Sequence, residues 1–183
     1  MFQNLNRMTR YVALLRAVNV GGRVVKMEEL KQLFALPGIK NISTYIQSGN
    51  VLFDSIKDEA TLKKAIEAAL KKALNYEVAV FLKTIPQLES AIARCPFTED
   101  ENVKIYVSLL SETPAKENIK ALEALKAEGE EIAVSGAAAY ILVPAHTYGN
   151  SKLSNTGVEK KLKVQATTRN WNTMNKLVAL AKK

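Results

Sequence analysis

Two β-strands and the turn between them are predicted by one stretch of the chain, ISTYIQSGNVLFD at residues 42–54. Its two ends, Ile42–Gln47 and Asn50–Asp54, are rich in the β-branched and aromatic residues that favour strands. Ser48-Gly49, which separates them, is typical of a hairpin turn. The stretch therefore predicts an antiparallel hairpin, around which the neighbouring elements can be placed.

A two-residue turn at this point would set the register of the hairpin. Gln47 would then pair with Asn50, and Ile46 would pair with Val51. Because side chains alternate along a strand, Ile46 and Val51 would pack beneath the helices. Gln47, Asn50 and Tyr45 would face the other side of the sheet, which a ligand or partner can reach. Alternatively, the two amides satisfy backbone groups of the turn.

The residues on either side of the hairpin complete a β-α-β-β-α-β order in the first half of the chain. An apolar run predicts a strand at Tyr11–Val20, and apolar residues at helical spacing predict a helix within Met27–Phe34, ahead of the stop signal Pro37-Gly38. A second helix carries the apolar stripe of Leu62–Ala73, and Glu77–Leu82 is the closing strand. This order is that of the ferredoxin-like unit.

The second half repeats this order after a linking helix. The predicted elements are a linking helix at Gln87–Arg94, a strand at Lys104–Leu110, a helix starting at Thr113-Pro114, a hairpin turning at Ser135-Gly136-Ala137, a helix at Leu153–Leu162, a strand at Val164–Thr167 and a closing helix at Trp171–Ala181. We therefore expect an α+β protein with two ferredoxin-like halves, residues 8–85 and residues 86–183, a linking helix and a C-terminal helix.

Composition limits the class of protein. Of the 183 residues 48% are hydrophobic, which is enough for a folded core. No apolar run reaches the roughly 18 residues that a membrane span needs, and the first residues lack the apolar core of a signal peptide. We therefore expect a cytoplasmic protein without a membrane partner.

Metal and cofactor sites are not predicted. The single cysteine, Cys95, allows no internal disulfide and no cysteine-based zinc site. His146 is the only histidine, and no pair of carboxylates has the spacing of metal ligands. We therefore expect no metal and no cofactor.

The net charge of +8 is spread unevenly along the chain. Residues 1–85 carry 13 Lys or Arg and 7 Asp or Glu, residues 86–147 carry 5 and 10, and residues 148–183 carry 8 and 1. The middle is therefore acidic and both ends are basic, which favours anionic ligands. Solvated lysines on the outer faces of helices would produce the same totals.

Several separated motifs occur together in this chain: Leu15–Gly22 (LRAVNVGG), Tyr45–Val51 (YIQSGNV), Ser151-Lys152-Leu153 and Thr168–Thr173 (TRNWNT). Together with Met27 and Glu29-Leu30, and in this order, they resemble the bacterial family named domain of unknown function 1697. The resemblance covers nearly the whole chain from Met8. It implies a two-part α+β fold without an established activity, and so it leaves the function open.

The chain also departs from the pattern of that family. Cys95 stands where asparagine is usual, and His146 lies near residues that differ from a Pro-Asp-Gly-like loop, so neither is a shared catalytic group and both should tolerate replacement. Ser154-Asn155 replaces a Pro-Asn pair, and Gly157 replaces an apolar residue. Because a glycine inside a helix costs about 1 kcal/mol relative to alanine, we expect this helix to begin later than in relatives.

The first motif offers an arginine, an asparagine and two glycines. Arg16 and Asn19 would face opposite sides of a regular strand, so they converge only if the strand ends or bulges between them. Arg16 is either a structural ion with an internal partner or a bidentate ligand of an anion. Gly21-Gly22 either holds a phosphate through backbone N–H groups or only forms a tight turn with positive φ.

The C-terminal motif surrounds the only tryptophan with hydrogen-bonding side chains. Trp171 is expected to anchor the closing helix in the core, with Thr168 or Asn170 as the helix cap. In the functional alternative, the tryptophan aims Arg169, Asn170 and Asn172 at a ligand.

Ser151 and Lys152 stand just before the predicted helix at Leu153–Leu162. They could add a hydroxyl and a cation to the ligand site of the C-terminal motif. Alternatively, Ser151 is a cap and Lys152 is a surface lysine.

The motif residues are mainly hydrogen-bond donors, and no histidine or carboxylate with an obvious partner lies among them. Donors without a base are suited to recognition of an anion rather than to a reaction on it. The sequence therefore favours binding of a phosphate-bearing ligand, a nucleotide or an RNA segment, in a basic cleft rich in Asn and Arg. The expected ligand residues are Arg16, Asn19, Gly21, Gly22, Gln47, Ser48, Asn50, Ser151, Lys152, Arg169, Asn170 and Asn172, with Arg16, Gln47, Asn50 and Arg169 in one contiguous cleft.

Two other classes of function stay open. A transferase or hydrolase acting on a phosphorylated substrate could use Ser48 or Ser151, with a base from elsewhere such as Glu29. A structural or oligomerising module would use the polar motifs only to join the two halves. Among the ligands, RNA is favoured less, because Tyr45 alone is a poor stacking platform.

Overall fold

The computed structural model describes residues 8–19, 22 and 24–183 of the chain. The chain divides into two compact units, Met1–Leu88 together with Leu177–Lys183, and Glu89–Lys176. Gly21, one of the expected ligand residues, lies outside the described residues. No helix in the described part of the chain is long and apolar enough to cross a membrane.

The first unit is built on a four-stranded antiparallel sheet. Its elements, in chain order, are β1 (Thr9–Leu15), α1 (Met27–Leu33), β2 (Ile39–Tyr45), β3 (Asn50–Ser55), α2 (Glu59–Leu74) and β4 (Val80–Thr84). The strand order across the sheet is β2-β3-β1-β4. This is the order of a ferredoxin-like unit, because the first strand lies between the third and the fourth.

The second sheet repeats this plan. After α3 (Ile85–Ala93) the elements are β5 (Val103–Leu110), α4 (Lys116–Glu123), β6 (Glu131–Ser135), β7 (Ala138–Pro144), a short 3₁₀-helix (Tyr148–Asn150), α5 (Asn155–Leu162), β8 (Ala166–Asn170) and α6 (Trp171–Ala181). The strand order β6-β7-β5-β8 matches that of the first sheet. The predicted α+β fold, with two ferredoxin-like halves and a C-terminal helix, is confirmed.

One face of the first sheet packs against α1 and α2. On β1, Tyr11 and Leu15 point to that face, because alternate residues of a strand share a side. On α2, Leu62, Ile66 and Leu70 lie one turn apart and are buried against it. Complete burial of such an aliphatic side chain contributes about 1.5–3 kcal/mol. This core supports the loop that follows β1 and the loop that precedes β3.

The second sheet buries side chains on both of its faces. Leu110, Ala139 and Ile141 pack with residues of α4 and α5 on one face. Tyr140 lies between Ala139 and Ile141 on β7, so its side chain points to the opposite face. There it is fully buried and donates its hydroxyl to the carbonyl oxygen of Ala91 at 2.6 Å. Alternate residues of β7 are therefore buried on opposite faces of the second sheet.

The first strand ends at Leu15, and not at Val20 as its apolar run predicts. Ala17 has a φ of 54°, a left-handed conformation that a continuous strand does not allow. The strand ends before both Arg16 and Asn19, so the alternation of a regular strand does not place them on opposite sides. Val18, an apolar residue beyond Leu15, is instead buried within the loop that follows the strand.

The first hairpin has a different register from the predicted one. Tyr45, and not Gln47, pairs with Asn50, so a four-residue loop joins β2 to β3. Ile46 belongs to this loop, has a φ of 50° and is 44% exposed, so it does not pack beneath the helices. The wider loop is stabilised from inside by Asn50, which is buried and donates to the carbonyl oxygen of Tyr45 and to Ser48 Oγ.

Several boundaries in the rest of the chain are also shifted, by two or three residues. The predicted elements with displaced starts include α3, which begins at Ile85, β4, which begins at Val80, α4, which begins at Lys116 after an Ala115 N-cap, α5, which begins at Asn155, and β8, which begins at Ala166. For α5 the cause is visible, because Ser154 Oγ accepts a hydrogen bond from the backbone N–H of Gly157 and so caps the helix. The prediction that Thr113 caps α4 was wrong.

Candidate functional site

Two of the sequence motifs meet at one end of the first sheet. The loop after β1 and the loop between β2 and β3 form what we call the loop cluster, the described residues of 16–22 and residues 46–50. The backbone N–H of Leu15 donates to the carbonyl oxygen of Gly49 at 2.8 Å, and Asn19 Nδ2 donates to the carbonyl oxygen of Gln47 at 2.7 Å. Folding therefore joins the first motif to the second.

Asn19 fastens the loop cluster with three hydrogen bonds. Besides its bond to Gln47, its Nδ2 donates to the carbonyl oxygen of Val25 at 3.1 Å, and its Oδ1 accepts from the N–H of Val25 at 2.6 Å. Both ends of the amide are thus engaged by backbone groups. A ligand contact by Asn19 stays a prediction, and its visible role is to hold the two loops together.

Asn50 and Gly49 make the interior of the loop cluster. Asn50 is fully buried, and its Nδ2 lies 3.0 Å from the carbonyl oxygen of Tyr45 and 2.9 Å from Ser48 Oγ. Gly49 has a φ of 78°, and a Cβ at this position would come within 2.5 Å of Val18 Cγ1. Only glycine fits this turn, on grounds of both backbone conformation and space.

The outer surface of the loop cluster carries the groups that can meet a ligand. Gln47 and Ser48 are exposed, and Arg16 is half-buried, with its backbone N–H bound to the carbonyl oxygen of Ala79 at 2.9 Å. Gly22 has a φ of 81° and open space around it. Among the residues expected to bind a ligand in the first unit, Gly22, Gln47 and Ser48 are therefore exposed, and Arg16 is partly exposed.

Among the residues that the structure describes, six non-glycine residues have a left-handed backbone conformation, and two of them lie in the loop cluster. Three non-glycine residues with positive φ have a local cause, since they end a helix or lie at a β-bulge: Asn75, Lys163 and Asn41. Three others do not, and of these Ala17 and Ile46 belong to the loop cluster, whereas His146 follows β7. A β-branched residue such as Ile46 is rarely found in this conformation, and such strain clusters at functional sites.

In the second unit, Arg169 is the residue whose surroundings differ most from expectation. Its side chain is only 7% exposed, and its Nη1 donates to Thr167 Oγ1 and to the carbonyl oxygen of Thr168, both at 2.9 Å. Burial lowers the pKa of Arg169 to about 10, so the guanidinium is still charged at neutral pH. The arginine contributes to the interior of the second unit, and its ligand role stays a prediction.

The rest of the C-terminal motif caps and links elements. Asn170 is exposed, and its Oδ1 accepts from the backbone N–H of Thr173 at 2.8 Å, so it is the N-cap of α6. Trp171 is only partly buried, which corrects the expectation of a tryptophan anchored in the core. Asn172 is exposed. Asn172 on α6 and Asn170 just before it thus lie at the surface, whereas Thr173 is buried.

A groove of about 400 Å³ lies between the loop after α4 and the loop after β7 in the second unit. Ser151 and Lys152 line it, together with Lys126, Glu128 and Glu130. Ser151 Oγ accepts the N–H of Leu153 at 3.0 Å. The lining holds two lysines and two glutamates, so the groove has no excess of positive charge.

Two tyrosines support the loop that forms one wall of this groove. The rings of Tyr106 and Tyr148 lie parallel, with centroids 3.6 Å apart and an interplanar angle of 8°. The hydroxyl of Tyr148 is buried, and none of the described residues forms a hydrogen bond with it. Burial raises the pKa of Tyr148 to about 12. Sequence reasoning missed this pair, because nothing in the sequence links two tyrosines on different elements.

The net charge of the protein resides in the first unit. That unit carries 15 Lys or Arg and 7 Asp or Glu, a net charge of +8, whereas the second carries 11 of each and is neutral. The basic C-terminal segment therefore folds with the acidic middle segment, which cancels its charge. A long-range field that attracts anions thus belongs to the first unit.

Comparison with known proteins agrees with the fold. The family model described as "Protein of unknown function (DUF1697)" matches residues 8–140. The chain belongs to the DUF1697 family. The match includes both motifs of the loop cluster. It ends before Ser151 and Lys152, which line the groove, and before the C-terminal motif.

One solved structure extends the likeness of fold to nearly the whole chain. A conserved bacterial protein, SP0830 from Streptococcus pneumoniae, has 22% sequence identity and a TM-score of 0.71, over 96% of this chain and 99% of that one. An unknown protein from Galdieria sulphuraria has 13% identity and a TM-score of 0.28, over 90% of this chain and 99% of that one. No curated protein matches. The first of these similarities supports the DUF1697 fold and names no activity.

The structure thus groups the expected ligand residues by unit. The first unit holds Arg16, Asn19, Gly22, Gln47, Ser48 and Asn50, all in the loop cluster, and the second holds Ser151 and Lys152 at the groove and Arg169, Asn170 and Asn172 along β8 and α6. The single cleft containing both Arg16 and Arg169 stays a prediction.

Proposed function

We propose that this DUF1697 protein binds a phosphate-bearing ligand, a nucleotide or an RNA segment, at the loop cluster of the first unit. The observation that carries the proposal is the hydrogen bond from Asn19 to Gln47, which joins two polar motifs separated by 28 residues. The loop cluster also belongs to the unit that carries the net charge of +8. An anion is therefore attracted to the same unit that presents the donors.

Each accessible group of the loop cluster has a chemical task in this proposal. The guanidinium of Arg16 would contact phosphate oxygens, for which charge-assisted bonds have lengths of about 2.7–2.9 Å. The amide of Gln47 and the hydroxyl of Ser48 would orient the ligand. Gly22, in a left-handed turn, would let the ligand approach the backbone closely. The described residues of the loop cluster include no carboxylate or histidine, which favours binding over acid–base catalysis.

Calorimetric titration of the purified full-length protein with AMP, ATP and a short single-stranded RNA tests the proposal. We expect at least one of them to bind and to raise the melting temperature, because a ligand selective for the folded state stabilises it. Arg16→Ala should weaken that binding by tenfold or more. Affinity for the RNA, if it is the ligand, should also fall steeply with added salt.

A matched control separates a specific site from a general charge effect. Lys64→Ala removes the same charge from the same unit, at an exposed position on α2 outside the loop cluster. We expect its affinity to stay within about twofold of wild type, since an exposed charge acts weakly at a distance. Equal losses in the two variants, or no binding by any of the three ligands, would contradict the proposal.

A further inference from the structure

We infer that the ligand of the loop cluster is a nucleoside phosphate whose base packs against the exposed side chain of Ile46. This inference rests on the proposed function and adds the class of ligand. It starts from the backbone of Ile46, which has a φ of 50° although isoleucine is β-branched. The side chain is 44% exposed. The loop therefore holds an apolar side chain in an unfavourable conformation without burying it in the core.

Hydrogen bonds hold the backbone on either side of Ile46. The carbonyl oxygen of the preceding residue, Tyr45, accepts from Asn50 Nδ2 at 3.0 Å. The carbonyl oxygen of the following residue, Gln47, accepts from Asn19 Nδ2 at 2.7 Å. Asn50 and Asn19 both belong to the sequence motifs, and the side-chain amide of each binds a backbone carbonyl group next to Ile46. Such preorganisation lowers the entropic cost of binding.

Val24 is a second exposed apolar residue next to a residue whose backbone Asn19 binds. Val24 is 80% exposed, and it immediately precedes Val25, whose N–H and carbonyl oxygen are both bound to Asn19. Val24 precedes Val25, and Ile46 precedes Gln47. The side-chain amide of Asn19 binds the backbone of both Val25 and Gln47. Val24 and Ile46 are two of the four large hydrophobic side chains exposed in the described chain, the others being Met8 and Ile56.

The polar and charged side chains of the loop cluster indicate the rest of the ligand. Arg16, Gln47 and Ser48 suit an anion, and the unit as a whole is positive. Ile46 and Val24 suit the flat apolar face of a base. A nucleoside phosphate combines these two features, whereas a sugar phosphate or inorganic phosphate lacks the second. The expected preference for AMP over ribose 5-phosphate is about tenfold, which corresponds to about 1.4 kcal/mol.

Calorimetric titration of the full-length protein with AMP and with ribose 5-phosphate tests the inference. In wild type, AMP should bind about tenfold more tightly. Ile46→Asn should lower the affinity for AMP about tenfold and leave that for ribose 5-phosphate unchanged, because it removes apolar surface and keeps the phosphate contacts. Asparagine tolerates the left-handed conformation, so this variant should retain the melting temperature of wild type.

The matched control is Ile56→Asn, at an isoleucine that is 56% exposed and outside the loop cluster. It should leave both affinities unchanged, whereas Arg16→Ala should lower both. Equal binding of the two ligands by wild type, or equal effects of Ile46→Asn on both, would overturn the nucleoside inference and leave the phosphate proposal standing. If neither AMP nor ribose 5-phosphate binds, and ATP and RNA do not bind either, both proposals fail.

Discussion

The side chain of Asn19 holds the loop that follows β1 against the loop that precedes β3, through a 2.7 Å hydrogen bond to the carbonyl oxygen of Gln47. The same amide binds both backbone groups of Val25. One half-buried side chain thus satisfies three backbone groups in two loops. This arrangement explains why asparagine stands here, and it makes the loop cluster a single structural element.

Replacement of Asn19 is expected to destabilise the protein. Asn19→Ala removes three hydrogen bonds and leaves backbone groups of Val25 and Gln47 without that partner, which should cost about 1–3 kcal/mol. Urea unfolding followed by circular dichroism measures this change. Asn175→Ala is the control, since Asn175 is exposed and has a single bond to the carbonyl oxygen of Trp171. An Asn19 variant as stable as the Asn175 variant would contradict this role.

Gly157→Ala should destabilise α5, although alanine normally stabilises a helix by about 1 kcal/mol relative to glycine. A Cβ at Gly157 would overlap the carbonyl oxygen of Lys152, which belongs to the backbone and cannot rotate away. We expect a net loss of about 1–3 kcal/mol, measured by thermal or urea unfolding. Gly149→Ala is the matched control, because a Cβ there meets no atom within 4 Å. If Gly157→Ala stabilised the protein, the described contact would be wrong.

Tyr148→Phe is expected to leave stability unchanged or to raise it by about 1 kcal/mol. The substitution removes a buried hydroxyl without a hydrogen-bond partner among the described residues and keeps the ring that stacks on Tyr106. Tyr140→Phe makes the opposite test, because it removes a buried hydroxyl that donates to Ala91 at 2.6 Å, and it should cost about 1–2 kcal/mol. Equal losses in the two variants would show that Tyr148 has a partner.

Tyr148→Phe should also lose less stability than wild type at alkaline pH. The pKa of Tyr148 is raised from 10.0 to about 12 in the folded protein, so the unfolded chain releases this proton first as the pH increases. Wild type should therefore lose stability between about pH 10 and pH 12, by up to about 1 kcal/mol per pH unit from this group. Tyr148→Phe should lack that part of the loss. The urea midpoints of both proteins at pH 8, 10 and 11 measure this difference. If the midpoints of wild type and Tyr148→Phe declined in parallel, the raised pKa of Tyr148 would be refuted.

Arg169→Ala should reduce stability, because the arginine is nearly fully buried and binds Thr167 and the backbone of Thr168. We expect a loss of about 2–4 kcal/mol from packing and hydrogen bonds. Lys176→Ala, at an exposed position on α6, removes the same charge and should cost less than about 0.5 kcal/mol. Urea unfolding compares the two, and an Arg169 variant as stable as the Lys176 variant would place the guanidinium in solvent.

The succession of strands and helices could be derived from the sequence, because it depends on local patterns. The apolar spacing along α6 predicted Trp171–Ala181, and these are its observed bounds. The stripe on α2 and the second hairpin were predicted for the same reason, although Ser135 pairs with Ala138 and the observed turn is one residue shorter than Ser135-Gly136-Ala137. The strand and helix periodicities then indicated two ferredoxin-like halves.

The candidate site was predicted only in part. The motifs around Arg16 and Gln47 were identified by their density of polar side chains, which folding alone rarely requires. Their contact through Asn19 could not be derived, because it depends on the end of β1 at Leu15 and on the left-handed turn at Ala17. The stacking of Tyr148 on Tyr106 and the burial of Arg169 likewise left no local signal.

By itself, the sequence determined which segments form strands and helices and in what order, since those choices follow from the periodicity of neighbouring side chains. Tertiary structure alone decided that Tyr45 pairs with Asn50, that Ile46 turns outward and that the basic C-terminal segment folds with acidic residues. The physical reason is that register, burial and local charge depend on side chains distant in the chain, such as Val18 against Gly49. Such contacts exist only once the sheets have formed.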